Sequence, residues 1–242
     1  MPRVTRYRSR RSTFFYIEFF SRYQRSRCKL RNSLVNRSEY LRAWSRVHGF
    51  VEGEEVTGIA RGYLSINFYL VQPLVFLKFT PNLVTLLGPL LAGAALLSRD
   101  NWVIALLILA SLVVDGFDGA VALIREKSSA LGGVWDGIVD RITELLWIGA
   151  LYYAGISPAL LLLTWLFVAT QEYGRAKLNQ LSGNVLGVVT ICERPVRGLL
   201  VALGFLGESV ISQSLEVVTV IWLIMQAFAF VQFSAMARKQ LR

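Results

Sequence analysis

The chain is short of the residues that most enzymes use for nucleophilic or metal chemistry. Its 242 residues contain one histidine, His48, and two cysteines, Cys28 and Cys192. No zinc site can be built from that set. Both cysteines fall in segments expected to face the cytoplasm, so a disulfide is not expected and they read as ordinary free thiols. His48 lies outside the apolar part of the chain, and no Gly-x-Ser-x-Gly elbow occurs, which argues against a hydrolase. Charge is scarce as well: 17% of residues are Asp, Glu, Lys or Arg, against about 25% in a soluble domain. A cleavable signal peptide is not expected either. The arginine-rich start is not followed by an apolar core of about 7–15 residues ending at a small-residue cleavage site.

Long apolar runs take the place of what is missing. Hydrophobic residues make up 54% of the chain and the mean hydropathy is +0.48. Stretches near the roughly 20 residues needed to cross a bilayer alternate with short polar breaks. The pattern predicts an all-α integral membrane protein with six transmembrane helices, near 81–98, 101–124, 133–154, 156–175, 195–211 and 214–236. Alternate breaks are basic (Arg125/Lys127, Arg175/Lys177, Arg194/Arg197 and the tail Arg238-Lys239), whereas the intervening ones are nearly free of Lys and Arg. The positive-inside rule then places both termini and all basic loops in the cytoplasm of a multi-pass cell-membrane protein. The stretch 63–79 is short, carries Asn67, Gln72 and Pro73, and ends near Lys78. It reads as an N-terminal interfacial amphipathic helix rather than a span. The expected organisation is a basic cytoplasmic arm (1–53), an interfacial juxtamembrane segment (54–80) and a six-helix membrane domain (81–242).

The net charge of +10 is concentrated at one end. Residues 1–50 hold thirteen Arg/Lys against Glu18 and Glu39. With aromatics such as Phe14, Tyr16 and Phe20 interleaved, and a membrane domain following, the partner expected for this arm is anionic lipid rather than nucleic acid.

Against this background stand four aspartates, Asp115, Asp118, Asp136 and Asp140. Spacings of three and four put each pair on one face of its own helix. A carboxylate deep in a bilayer costs about 2.5–3.5 kcal/mol, so four together cost roughly 10 kcal/mol before repulsion. A captured divalent cation offsets that cost, and hard oxygen ligands suit Mg²⁺, Mn²⁺ or Ca²⁺. On the expected topology, two consecutive antiparallel spans bring both pairs to one membrane depth. Glycines 116, 119, 132, 133 and 137 surround the acids, allowing close backbone approach and leaving room for a bulky ligand. Gly133 and Gly137 also form a GxxxG pair that can serve helix packing. Metals clamping a diphosphate, with one carboxylate left as base, make a phosphoryl-transfer site.

The segment Asp115-x-x-Asp118-Gly119-x-x-Ala122, nine residues, Gly132-x-x-x-Asp136-x-x-x-Asp140 resembles the signature of the CDP-alcohol phosphotransferases, membrane enzymes of phospholipid synthesis. Thr80-Pro81-Asn82 with Thr85 is similar to the start of that family's first span, and the likeness covers roughly residues 54–240. The resemblance implies that Asp115, Asp118 and Asp136 ligate two divalent cations, Mg²⁺ or Mn²⁺. Asp140 completes the acidic set at the metals and acts as general base on the acceptor alcohol. Gly119, Ala122 and Gly132, with Asp118, would line the nucleotide pocket. A phosphatidyl group would pass from a CDP-linked lipid such as CDP-diacylglycerol to the alcohol, releasing CMP, and the family often forms homodimers through its membrane helices. The pattern departs at Leu123, where the family has arginine. Arg125 is two positions on, about 200° around a helix.

A basic cluster follows. Glu172-Tyr173-Gly174-Arg175-Ala176-Lys177 and Glu193-Arg194-Pro195-Val196-Arg197 resemble the segments of family members whose acceptor is phosphorylated, such as glycerol phosphate or inositol phosphate. Arg175, Lys177, Arg194 and Arg197 are therefore expected to bind the acceptor phosphate. Glu172 stands where the family has serine, and it would repel an anionic acceptor unless paired with Arg175 or Arg194. Leu123 and Glu172 motivate a second reading, a catalytically silent membrane scaffold or lipid-binding protein that retains the fold. A cation transporter is the third, opposed by the gathering of the aspartates at one membrane end.

Overall fold

The computed structural model describes residues 36–47, 56–182 and 189–241, and all elements considered below belong to its compact unit Arg37–Arg242. Most of the basic arm, with Cys28 and His48, lies outside the described residues. Ten helices follow in chain order among the described residues: α1 (Arg37–Val47), α2 (Gly58–Leu70), α3 (Gln72–Phe76), α4 (Pro81–Thr85), α5 (Leu87–Leu97), α6 (Asn101–Ile124), α7 (Ala130–Tyr153), α8 (Pro158–Ser182), α9 (Arg194–Glu208) and α10 (Ser214–Gln240). The described part is all-α.

Prolines set the breaks in the first half. Pro73 has no N–H to give the carbonyl four residues back, and α2 ends at Leu70, with α3 restarting at Gln72. Pro89 does the same to Thr85, where α4 gives way to α5. Later boundaries are capped by side chains. Asp100 accepts from the Trp102 amide at 2.8 Å to start α6, and Ser129 accepts from Gly132 at 3.0 Å to start α7. Glu208 accepts from the Gln213 and Leu215 amides at 3.0 and 2.9 Å, which fixes the turn between α9 and α10. Arg125, just past α6, donates to the Lys78 carbonyl at 2.7 Å and also contacts the Phe79 carbonyl. Its guanidinium ties the α6–α7 turn to the loop before α4.

Several details differ from the sequence expectations. The amphipathic stretch expected at 63–79 begins earlier, at Gly58, and is two helices rather than one, because Pro73 interrupts it. Residues 37–47, read from sequence as part of the arm, form α1, which packs on α2 and α6. Of the six stretches expected to cross the bilayer, α6 and α10 are long and apolar enough by themselves, and the apolar stretch Pro81–Leu97, α4 and α5 together, is shorter. The others fall short for physical reasons. Helix α7 carries Asp136, Asp140, Arg141 and Glu144, and α8 carries Glu172, Arg175 and Lys177. Helix α9 has 15 residues, about 22 Å at 1.5 Å per residue.

Helix α6 is the hub, with α4, α5 and α9 packed around it, while α9 and α8 pack on α10. Small residues make these approaches close. Ala92, Ala95 and Ala105 are buried at the α5–α6 contact. A Cβ at Gly198 of α9 would sit 3.0 Å from the Trp147 ring and 3.2 Å from Leu112, tighter than ordinary contact, so glycine lets α9 lie this near α7 and α6 without shifting either side chain. Trp147 is fully buried and donates from Nε1 to Ser111 at 3.0 Å. This packing fixes the N-terminal turn of α9, and with it Arg194 and Arg197, beside the aspartate-bearing helices.

Candidate active site

Helix α6 brings Asp115 and Asp118 to its last three turns, and α7 brings Asp136 and Asp140 to its first three. One carboxylate oxygen from each of Asp115, Asp136 and Asp140 lies within 4.8 Å of the others. Asp118 is the most buried of the four acids and accepts from the Thr85 hydroxyl at 2.6 Å. It also accepts from the Gly119 amide at 2.5 Å, and Asp136 is its charged neighbour across the α6–α7 contact. All four expected acids therefore gather in one cluster.

Their main counter-charge is Arg194. Its Nη1 lies 2.6 Å from Asp140 Oδ1 and contacts Asp115 Oδ1, and its guanidinium covers the Trp147 ring at 5.6 Å. The Asp140 contact is a charge contact without hydrogen-bond alignment, and Asp140 Oδ1 is a buried oxygen with no aligned donor. Arg141 stands 3.9 Å from Asp140 but is committed to Glu144 at 2.7 Å. Four clustered carboxylates, of which Arg194 contacts two, leave a large negative excess, and the donors are oxygen throughout. That donor set fits Mg²⁺ or Mn²⁺.

Glycines open the space around the acids. A Cβ at Gly119, Gly133 or Gly137 would meet nothing within 4 Å, so this face of α6 and α7 is uncovered among the described residues. The GxxxG pair is accordingly not packed against a helix among the described residues. Gly132, expected in the nucleotide pocket, has a local role as well, since a Cβ there would come within 3.0 Å of the capping Ser129 Oγ. Ala122 is half-buried on α6, one turn after Asp118. Gly116 lets α2 dock: a Cβ would fall 2.5 Å from the Tyr63 hydroxyl and 3.0 Å from the Asn67 amide nitrogen, which donates to the Gly116 carbonyl at 3.3 Å.

Three of the four expected acceptor-phosphate cations are inside the molecule, and one is not. Arg197 is fully buried and bonds Glu144 through Nε at 2.8 Å and Nη2 at 2.7 Å, and the Cys192 carbonyl at 2.8 Å. Arg175 forms a two-pronged pair with Glu193 at 2.8 and 2.9 Å. Arg194 joins the aspartates. Lys177 is exposed and bonds Gln180 at 3.2 Å, away from the others. Two positions along a helix is about 200°, so Arg175 and Lys177 cannot share a face. Glu172 is paired with Arg175 at 3.4 Å and Arg197 at 3.2 Å, so it is not an uncompensated charge beside these arginines. Arg125, spent on the loop carbonyls, does not replace the arginine missing at Leu123.

Outside the helical spans, electrostatics stabilise the loop before α9. Burial pushes the Glu193 carboxyl up, but hydrogen bonds from Arg175 and from the Thr190 amide and hydroxyl outweigh it and hold Glu193 below the usual carboxylate range. Burial drives the Cys192 thiol up to about 11, only partly countered by Arg197, so it is inert.

A model of the CDP-alcohol phosphatidyltransferases matches residues 78–223, the segment that holds all four aspartates and Arg175, Arg194 and Arg197. The chain belongs to the CDP-alcohol phosphatidyltransferase family. Within the family, it is 37% identical over 110 residues to the archaetidylinositol phosphate synthase of Aeropyrum pernix, an alignment covering 44% of this chain and 57% of that protein. The chain thus matches little more than half the length of that relative. Its fold is shared with the phosphatidylinositol phosphate synthase of Mycobacterium tuberculosis, solved with CDP-DAG bound. The TM-score is 0.61 at 21% identity, over 71% of this chain and 93% of that one. A second structure of that enzyme, in complex with manganese and citrate, gives the same TM-score and identity, over 71% of this chain and 88% of that one.

The aspartate reading missed Glu144, Thr85 and Asn67. Glu144 had a signal, because Asp136, Asp140 and Glu144 recur every four residues and continue one acidic stripe along α7. Thr85 was visible only within the family-like segment Thr80-Pro81-Asn82 with Thr85, with nothing to tie it to Asp118, and Asn67 had no signal, since each meets α6 only through the tertiary fold.

Proposed function

We propose that the chain is a Mg²⁺- or Mn²⁺-dependent phosphatidyltransferase that moves a phosphatidyl group from a CDP-linked lipid such as CDP-diacylglycerol to an alcohol and releases CMP. The observation that carries this reading is the convergence of Asp115, Asp136 and Asp140 within 4.8 Å inside the family-matched segment. Two divalent cations held by Asp115, Asp118 and Asp136, with Asp140 at their edge, would neutralise the lipid's diphosphate and activate its phosphorus. Thr85 fixes Asp118 in orientation. Asp140 takes the proton from the acceptor hydroxyl. The freed oxygen bonds to the lipid-bearing phosphorus as the bond to the departing CMP oxygen breaks. Gly119, Ala122 and Gly132 border the uncovered face on which the nucleotide would lie.

The acceptor is a phosphorylated alcohol, glycerol phosphate or inositol phosphate. Arg175, Arg194 and Arg197 support this, because they gather on the Asp140 side of the cluster from two different helices. Six helical stretches crossing the bilayer, with the site and both termini cytoplasmic, follow from the alternation of basic breaks. Helices α2 and α3 would lie in the interface, a reading supported by exposed Tyr63, Ile66, Tyr69 and Phe76. Anionic lipid for the basic arm and a homodimer complete the proposal.

Purified full-length protein in detergent, given CDP-diacylglycerol and each candidate acceptor, should release CMP only with Mg²⁺ or Mn²⁺. Asp140→Asn should abolish release while leaving the protein folded. No CMP from glycerol phosphate, inositol phosphate, inositol or serine at any metal concentration would defeat the proposal and favour a silent, lipid-binding fold.

A further inference from the structure

Three guanidiniums from three helices converge on one carboxylate oxygen. Around Glu172 Oε1 stand Arg197 Nη2 at 3.2 Å, Arg175 Nη1 at 3.4 Å and Arg141 Nη1 at 3.9 Å. Each arginine has a nearer acid: Arg197 and Arg141 hold Glu144 at 2.7 Å, and Arg175 holds Glu193 at 2.8 Å. Glu172 is therefore the most loosely held anion of the cluster, and its side chain is 20% exposed, against 0% for Glu144. The three acids and three arginines cancel, so the pocket has no net positive charge to offer an incoming phosphate. Donors nonetheless remain open. Arg175 Nε and Arg194 Nε are buried without an aligned acceptor, and Arg141 Nη1 meets Glu144 at 2.7 Å out of hydrogen-bond alignment. The cluster also adjoins the base, because the Arg141 guanidinium lies 3.9 Å from both Asp140 and Glu172.

We propose that Glu172 sets the affinity and selectivity of the acceptor site by competing with the acceptor's phosphate for Arg141, Arg175 and Arg197. The carboxylate holds the guanidiniums in place while the pocket is free of ligand. An arriving phosphate monoester, with three acceptor oxygens and a higher charge, takes over these long contacts. Glu172 then stands as a like charge beside it and weakens binding. This inference rests on the proposed phosphorylated acceptor, but phosphate binding can be measured without turnover.

The test uses full-length Glu172→Gln, with Glu172→Ser as a second variant should the first not fold. Two readouts are taken in Mn²⁺: the acceptor KM in CMP release, and the midpoint for inorganic phosphate in a thermal-shift titration. Both variants should lower the KM for a phosphorylated acceptor about tenfold, the factor equivalent to about 1.4 kcal/mol. The phosphate midpoint should fall by a similar factor, and the KM for the unphosphorylated alcohol should not. An unchanged phosphate midpoint, or a loss of kcat with KM unaltered, would make Glu172 a structural strut and overturn the inference. If wild-type protein releases no CMP yet the variants bind phosphate more tightly, the transfer reaction fails and the role of Glu172 stands.

Discussion

Replacing Arg197 by methionine should destabilise the protein more than any single exposed substitution, and the structure says by how much. Arg197 is fully buried against fully buried Glu144, at 2.7 and 2.8 Å through two nitrogens. At an effective dielectric of about 20, a pair at that distance interacts by about 6 kcal/mol, most of it offset by the desolvation of both charges. Removing one partner is costlier than removing both, because it strands the other. Arg197→Met leaves Glu144 with only the unaligned Arg141 contact, and about 3–5 kcal/mol should be lost. For a chain of this size that lowers Tm by about 6–20 °C. Glu144→Gln should cost about 3 kcal/mol, since Arg197 keeps the Cys192 carbonyl and Glu172. The double variant removes both charges and should be better than the sum of the singles by about 2–3 kcal/mol. Thermal unfolding of the four proteins in one detergent and buffer closes the cycle. A coupling below about 0.5 kcal/mol would mean that the pair does not stabilise the fold as its geometry implies.

Three further outcomes follow from local packing and charge. Gly198→Ala puts a methyl 3.0 Å from Trp147 and should cost about 1–3 kcal/mol, read as a lowered Tm. It should also weaken activity by displacing the α9 turn that carries Arg194. Gly116→Val drives a side chain into Tyr63 and buried Asn67. It should raise the Mn²⁺ concentration needed for half-maximal CMP release, because the turn between Asp115 and Asp118 shifts. An unchanged metal requirement would show that the docking of α2 is irrelevant to the site. Glu193 is held ionised below the usual carboxylate range, so its contribution is complete above about pH 4.5 and is lost as pH falls through the depressed folded value. The Tm gap between wild type and Glu193→Gln should therefore be wide at pH 7 and narrow toward pH 4, and a constant gap would contradict the pairing.

The sequence determined whatever depends on neighbours a turn or two away. Spacings of three and four put Asp115 with Asp118 and Asp136 with Asp140 on common helix faces, and prolines at 73 and 89 broke their helices where steric rules require. The 200° between Arg175 and Lys177 was equally legible and separates Lys177 from the buried arginines, although the family resemblance grouped the two. Span number was less secure, because charges that serve the site also interrupt the apolar runs of α7 and α8. Tertiary structure alone decided the rest: that Thr85 orients Asp118, that Arg194 joins the aspartates, and that Glu172 is shared by three arginines. Those contacts link residues 25 to 79 positions apart in sequence, apart from the short-range Glu172–Arg175 pair within α8. No local periodicity specifies them. They exist because small residues such as Gly198 let α9 settle against α6 and α7, and a buried charge takes the partner that this packing brings within reach.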